Sequence, residues 1–211
     1  MKHINEICEL LSKKFPNPKS ELIAPNDWCF AVAVILSAQT TDKRVNMETP
    51  ALFKIAKSPA DFVKLGVDGL IPYIKSIGLY KNKANNIIKL AQIIEEKYGG
   101  QLPKDKEILM ELPGIGAKTA GVIMNDLWGG KNIPVDTHVF RVSHRLGLVK
   151  ESANTPEKAG IELEKIVPEQ YKNNFSNYLV LLGRYTCIAR KPKCDECQLT
   201  QYCPWYRKNV K

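Results

Sequence analysis

The residues best placed to do chemistry lie in Leu112-Pro113-Gly114-Ile115-Gly116-Ala117-Lys118-Thr119-Ala120 and in Val135-Asp136-Thr137-His138 soon after it. The first stretch reads as two helices joined by a Gly-x-Gly reversal. Ile108, Leu109 and Leu112 precede the break and Pro113 stops the first helix; Ala120, Val122, Ile123 and Leu127 then recur at helical spacing from about Ala117 onward. Such a hairpin points unpaired backbone N–H groups out of the positive end of a helix, which suits a phosphate. Lys118 falls in the first turn of that second helix, where the dipole favours anions and a lysine is out of place. A nucleotide phosphate loop would need glycine directly before the lysine and a strand upstream, but Ala117 and a helix stand there instead. Asp136 has an ordinary part to play as the cap of the helix carrying Val139, Phe140, Val142 and Leu146.

A second group is Cys187, Cys194, Cys197 and Cys203, spaced C-x6-C-x2-C-x5-C. Four thiolates so spaced suit tetrahedral zinc or an iron–sulfur cluster, and the donors alone do not separate the two. Cys8 and Cys29 sit among apolar residues of expected helices and read as core. Three histidines (His3, His138, His144) and no supporting motif exclude Ser-His-Asp catalysis. Arg190, Lys191 and Lys193 crowd the loop between the first two cysteines, and seven basic residues between Arg184 and Lys211 face only Asp195 and Glu196. Those cations either offset the ligands' charge or lie against a phosphate backbone. Lysine plus arginine exceed aspartate plus glutamate by 31 to 22 over the whole chain, which favours the second reading and a polyanionic partner.

The elements that must position these groups all read as helices. Ile4, Ile7, Cys8, Leu10 and Leu11 make an amphipathic first helix ended by Pro16 and Pro18. Asn26-Asp27 open the most apolar helix, Trp28 to Ser37, and the polar turn Ser37–Asp42 leads into a helix to Phe53 with Pro50 as a kink point. Ser58-Pro59 start a short helix to Leu65, with a further turn or two from Leu70 to Ser76. The spacing predicts a long helix from Lys81 to Tyr98 ended by Gly99-Gly100, one from Pro156 toward Val167, and a last long one from Phe175 to Tyr185. No stretch alternates as a strand would, so the chain is expected to be all-α. The longest apolar run, Trp28 to Leu36, is far short of the ~20 residues of a membrane helix. Met1-Lys2-His3 opens directly into an amphipathic helix without an apolar signal segment, so the chain is expected in the cytoplasm, on the nucleoid.

The hairpin, Lys118 and Asp136 together resemble the endonuclease III family of helix-hairpin-helix DNA glycosylases. The likeness continues through Leu36-Ser37-Ala38-Gln39-Thr40-Thr41-Asp42, Ile77-Gly78-Leu79-Tyr80 and Gly183-Arg184-Tyr185-Thr186-Cys187, and so covers nearly the whole chain. The resemblance implies a bifunctional DNA N-glycosylase and AP lyase that removes oxidised pyrimidines in base excision repair and cleaves 3′ to the abasic site by β-elimination. It makes Lys118 the nucleophile and Asp136 its catalytic partner. It gives Cys187, Cys194, Cys197 and Cys203 a [4Fe–4S] cluster that is structural and positions DNA. Leu79 becomes the wedge and Gln39 the plug that replace an everted base. Gly114, Gly116, His138, Arg184, Arg190, Lys191 and Lys193 become further DNA contacts. The implied partner is double-stranded DNA with damaged pyrimidines or abasic sites, met by a monomer and away from membranes.

The family's architecture implies two lobes: a six-helix bundle over 20–130 with the hairpin at about 108–127, and a cluster lobe combining 1–19 with 131–211. Lys118 and Asp136 would face each other across the cleft between them. An amine nucleophile must be neutral, and a free lysine titrates near ~10.4; a helix dipole and desolvation push that down while a carboxylate pushes it up. Two other readings stay open. An adenine-mismatch glycosylase of the same superfamily usually lacks lysine at this position and carries a further C-terminal domain. A non-catalytic helix-hairpin-helix DNA-binding protein would leave Lys118 and Asp136 unexplained.

Overall fold

A computed structural model describes residues 3–16 and 18–210; Met1, Lys2, Asn17 and Lys211, the last counted among the C-terminal cations, lie outside the described residues. The helices in chain order are α1 Ile4–Lys14, α2 Asp27–Ser37, α3 Asp42–Ile55, α4 Pro59–Ile74, α5 Tyr80–Tyr98, α6 Lys106–Glu111, α7 Ala117–Trp128, α8 Thr137–Arg145, α9 Pro156–Ile166, α10 Lys172–Tyr185 and α11 Pro204–Asn209. Short 3-10 turns lie at Glu169–Tyr171, Cys194–Glu196 and Thr200–Tyr202. No strand occurs among the described residues, so the protein is all-α as its patterning requires. None of these helices is long and apolar enough to cross a membrane. The chain divides into two compact units, Glu21–Trp128 and Met1–Ser20 with Gly129–Lys211.

In the unit Glu21–Trp128, every residue of α2 from Trp28 to Leu36 is buried. A helix apolar on all sides can only be satisfied inside a core, with the others packed round it. Those others bury one face each, as Val45 and Leu52 of α3, Phe62 and Ile74 of α4, Ile87 and Ile94 of α5, and Ala120 and Ile123 of α7 illustrate. Asn26 starts α2 by accepting a hydrogen bond from the Cys29 amide at 2.9 Å. Pro50 does not end α3, which runs on to Ile55. The two short helices expected after Ser58 are both present within α4, separated by a break at Gly66, whose φ of 66° and ψ of 176° are not helical and suit a residue without a side chain.

The turn between α6 and α7 is pinned by two apolar residues, Leu112 and Ile115, both buried. Its fold-back is closed by the Leu112 amide on the Leu109 carbonyl and the Ile115 amide on the Leu112 carbonyl, each at 3.1 Å. The first helix stops at Glu111, two residues before Pro113, because Leu112 is already extended. The two glycines of the turn differ in kind. Gly114 has a φ of +81°, and a Cβ there would stand 3.1 Å from Asn86 Cβ, whereas a Cβ on Gly116 would meet nothing within 4 Å.

In the other unit, Ile4, Ile7, Cys8 and Leu11 of α1 join Val139 and Val142 of α8, Leu163 of α9, and Phe175, Leu179 and Leu182 of α10 in one core. Burial pushes the Cys8 thiol, and likewise Cys29 in its own unit, up to about 12, as inert core cysteines require. Helices α8 and α10 meet closely at Gly183, where a Cβ would lie 3.0 Å from His138 Cβ. Helix α10 begins at Lys172, a turn ahead of the expected Phe175, and α11 has no counterpart in the sequence reading.

The two hairpin glycines give a direct test. Gly114→Ala should lower stability by about 1–3 kcal/mol, because alanine is strained at that φ and presses on Asn86. Gly116→Ala should stay within about 0.5 kcal/mol of the parent in urea denaturation.

Candidate functional site

Lys118 is the second residue of α7 and its side chain is exposed. The helix ladder starts with the Ala120 amide on the Gly116 carbonyl at 2.9 Å, so the amides of Ala117, Lys118 and Thr119 precede it. The Lys118 ammonium makes no hydrogen bond or ion pair among the described residues. The hairpin thus presents one uncommitted amine beside a fringe of amides with positive character. Gly114 and Gly116 form the exposed outer edge of the same turn.

Asp136 sits at the N-cap of α8 in extended conformation. Its Oδ1 accepts hydrogen bonds from the His138 and Val139 amides, both at 2.8 Å. The capping expected of a lone aspartate is therefore real, and it fixes the carboxylate's direction. Oδ2 has no hydrogen-bond partner among the described residues, so one oxygen holds the group in place and the other remains available.

His138 is half-buried. Its Nδ1 lies 3.2 Å from Arg141 Nη2, and burial lowers its pKa against the raising effect of Asp136. Arg141 Nη2 also donates to the Gly183 carbonyl at 2.9 Å, which ties α8 to the end of α10. Arg184 is half-buried on α10, whereas Arg190, Lys191 and Lys193 are exposed on the loop beyond it. Lys193 stands 3.9 Å from Glu196, and Lys191 has a φ of 52°.

All four expected cysteine ligands line one pocket, together with Arg145, Leu182, Trp205 and Tyr206. Among the described residues no three His, Cys, Asp or Glu side chains are arranged to hold a single metal ion. The four thiols nonetheless share one pocket, and four cysteine thiolates are the donor set of an iron–sulfur cluster. Burial, and then the neighbouring thiols, push the Cys194 thiol up; burial also raises Cys197 and Cys203. A cationic core is what makes such crowded thiols into thiolates. Donors are already in place for them: Arg145 Nη1 is 3.3 Å from Cys187 Sγ, and the Tyr206 amide 3.4 Å from Cys203 Sγ. The residues fit the cluster.

The sequence reading gave no part to Arg141 and Arg145, which support this loop. Arg145 donates to the Ile188 carbonyl at 2.8 Å and the Ala189 carbonyl at 2.9 Å, with its guanidinium 4.6 Å from the centre of the Trp205 ring. A signal existed: two arginines four apart, on one face of a helix whose other face is apolar. From α1, Lys14 reaches Thr186 at 3.3 Å, and the Gln198 amide donates to the Leu10 carbonyl at 2.6 Å.

In the unit Glu21–Trp128, Gln39 lies in the turn between α2 and α3, and Leu79 is the N-cap of α5. Both are exposed, Leu79 at 57%. Four non-glycine residues have positive φ among the described residues, and three of them are candidate DNA contacts: Gln39 (57°), Leu79 (60°) and Lys191 (52°). Residues other than glycine rarely adopt that conformation.

Removing the Arg145 donors should loosen the cysteine loop. In Arg145→Met, visible cluster absorption and bound iron should be lost several-fold faster on storage, and limited proteolysis should cut between residues 187 and 203. Unchanged iron retention would deny Arg145 this role.

Comparison with known proteins agrees with the geometry. Residues 32–169 match the HhH-GPD superfamily of base excision DNA repair proteins, and residues 187–203 match the iron-sulfur binding domain of endonuclease III. The endonuclease III of Rickettsia conorii is 48% identical over 203 residues, 96% of each chain. A non-covalent endonuclease III–DNA complex superposes with a TM-score of 0.91 at 38% identity, covering 98% of this chain and 96% of that one. A trapped endonuclease III–DNA covalent intermediate also gives 0.91, at 37% identity and full coverage of both chains. The hairpin, the cysteine loop and the nearly full-length likeness together place the chain in the endonuclease III family, whose members are base excision repair DNA glycosylases with AP lyase activity.

Proposed function

We propose that Lys118 is the nucleophile and Asp136 the carboxylate that assists it, on DNA carrying oxidised or ring-saturated pyrimidines. The observation that carries the reading is the uncommitted Lys118 amine at the tip of α7, in a chain of a family with lyase activity. It is supported by a related endonuclease III having been trapped as a covalent intermediate with DNA.

The neutral amine of Lys118 attacks C1′ of the everted nucleotide. The N–C1′ bond forms as the glycosidic bond breaks, and the base leaves with its electron pair. Opening of the sugar ring gives a Schiff base, which acidifies the C2′ proton. Loss of that proton expels the 3′ phosphate, and water then releases Lys118. Asp136 Oδ2 stabilises the positive charge that develops on the sugar, while Oδ1 keeps its two amides.

Leu79 enters the base stack as wedge and Gln39 occupies the vacated pairing position. Amides at the tip of α7, with the close approach that Gly114 and Gly116 permit, hold a phosphate. Arg184, Arg190, Lys191 and Lys193 contact the backbone, and His138 serves through the Asp136 cap. When bound to its four thiolates, the [4Fe–4S] cluster cross-links the 187–203 loop and so presents those cations. Both reacting side chains come from one chain, so this reading needs no second copy, and the enzyme is proposed to work as a monomer. Its formal charge of +9 favours binding to DNA without regard to sequence, in keeping with a place on the nucleoid.

The test is strand cleavage of a thymine-glycol duplex. Lys118→Ala should abolish cleavage. Asp136→Asn should still bind an abasic-analogue duplex, because asparagine also caps a helix well, yet turn over at least about 100-fold more slowly. Cleavage that survives Lys118→Ala would assign the chemistry to another amine. Loss of binding in Asp136→Asn would reduce Asp136 to a cap.

A further inference from the structure

Lys83 of α5 is the only charged side chain buried among the described residues, at 6% exposure. No carboxylate accompanies it. Its Nζ donates to the Leu36 carbonyl at 2.9 Å, the Ala38 carbonyl at 2.6 Å and the Thr40 hydroxyl at 3.4 Å. Burial pulls its pKa down, but three acceptors match the three N–H bonds of an ammonium. With every donor committed, Lys83 offers no lone pair and does not compete with Lys118 as a nucleophile.

The position of those acceptors is informative. Leu36 and Ala38 lie at the C-terminal end of α2, where carbonyls lack intrahelical partners and a cation is favoured. Ala38 and Thr40 flank Gln39, whose φ is 57°. On its own helix, Lys83 is tied to Leu79 by its backbone amide on the Leu79 carbonyl at 3.0 Å. The two segments also touch: a Cβ on Gly78 would stand 3.7 Å from the Gln39 carbonyl oxygen and 3.8 Å from Thr40 Oγ1. One buried cation therefore joins the turn bearing Gln39 to the helix start bearing Leu79. Both residues are exposed and held in a conformation that each would leave if released.

We propose that Lys83 is a positioning residue that locks the Gln39 turn and the Leu79 helix start into one rigid device for holding a nucleotide out of the duplex. The proposal rests on the reading of Gln39 and Leu79 as plug and wedge. A wedge and a plug act on neighbouring positions of the same stack, so their separation must be set before DNA arrives rather than found during opening. A lysine serving only to satisfy the end of α2 would have no reason to affect duplex opening more than the chemistry that follows.

The experiment uses the full, cluster-loaded protein on two substrates that share the Lys118 chemistry but differ in the need to open a helix. One is thymine glycol in a duplex; the other is an abasic site in a single strand. Lys83→Met should lower the single-turnover rate on the duplex about tenfold or more. It should leave cleavage of the single strand within about twofold and reduce the fluorescence rise of 2-aminopurine placed beside the lesion. Should Lys83→Met fail to fold by circular dichroism, Lys83→Gln, which retains a donor, carries the same comparison with a smaller duplex loss. Equal losses on both substrates, or no loss on the duplex, would overturn the proposal. Leu79→Ala and Gln39→Ala are run alongside. If neither lowers the duplex rate, the plug-and-wedge reading itself fails; if both do and the Lys83 variants do not, only the role of Lys83 fails.

Discussion

A helix begins with amides that its own ladder cannot satisfy, and the candidate chemistry of this protein is arranged around that constraint. Lys118 stands in the first turn of α7, Asp136 caps α8, Leu79 caps α5, and Gln39 lies two residues ahead of the Thr41 cap of α3. In each case one face of the helix is buried, while the residue at its tip is exposed or, for Asp136, half-buried. The core thus sets the position of the tip, and the tip of α7 contributes positive character of the kind that suits a phosphate. Asp136 shows the economy of this. The same carboxylate that satisfies two amides with Oδ1 is held by them in one orientation, with Oδ2 left over.

The cysteine loop depends on α8 as much as on its own ligands. The helix that Asp136 caps carries Arg141 and Arg145, whose guanidinium groups take up the carbonyls of Gly183, Cys187, Ile188 and Ala189. Gly183 lets α10 approach His138 closely enough for those bonds to form. A single helix therefore joins the start that presents a carboxylate to the end that braces the cluster loop.

The helices were legible because their apolar residues recur at the right spacing and their ends carry recognisable caps. Asn26, Ser58, Asp136 and Thr155 all accept from amides in the first turns of their helices. The four cysteines were legible as a ligand set from spacing alone, and the choice between zinc and a cluster needed the resemblance, which the match of residues 187–203 to an iron-sulfur binding domain bears out. What local pattern could not give was tertiary use of a polar side chain. Lys83 reads as one more lysine on an amphipathic helix, because its acceptors lie more than forty residues away in sequence. Arg145 is hidden for the same reason. Pro50 and Gly66 read correctly: α3 runs past its proline, to Ile55, and the helical stretch after Ser58 is broken at Gly66, where the backbone is not helical. The backbone strain at Gln39 and Leu79 has no sequence signature, since neither is a residue type that favours positive φ.

The account turns on which nitrogen bonds to deoxyribose. Peptide mass mapping of the cluster-loaded wild-type protein, after borohydride reduction on a damaged duplex, reads this directly. The account predicts a deoxyribose adduct on Lys118, in the peptide spanning the turn between α6 and α7. An adduct on any other lysine, or on the amino terminus, would contradict it.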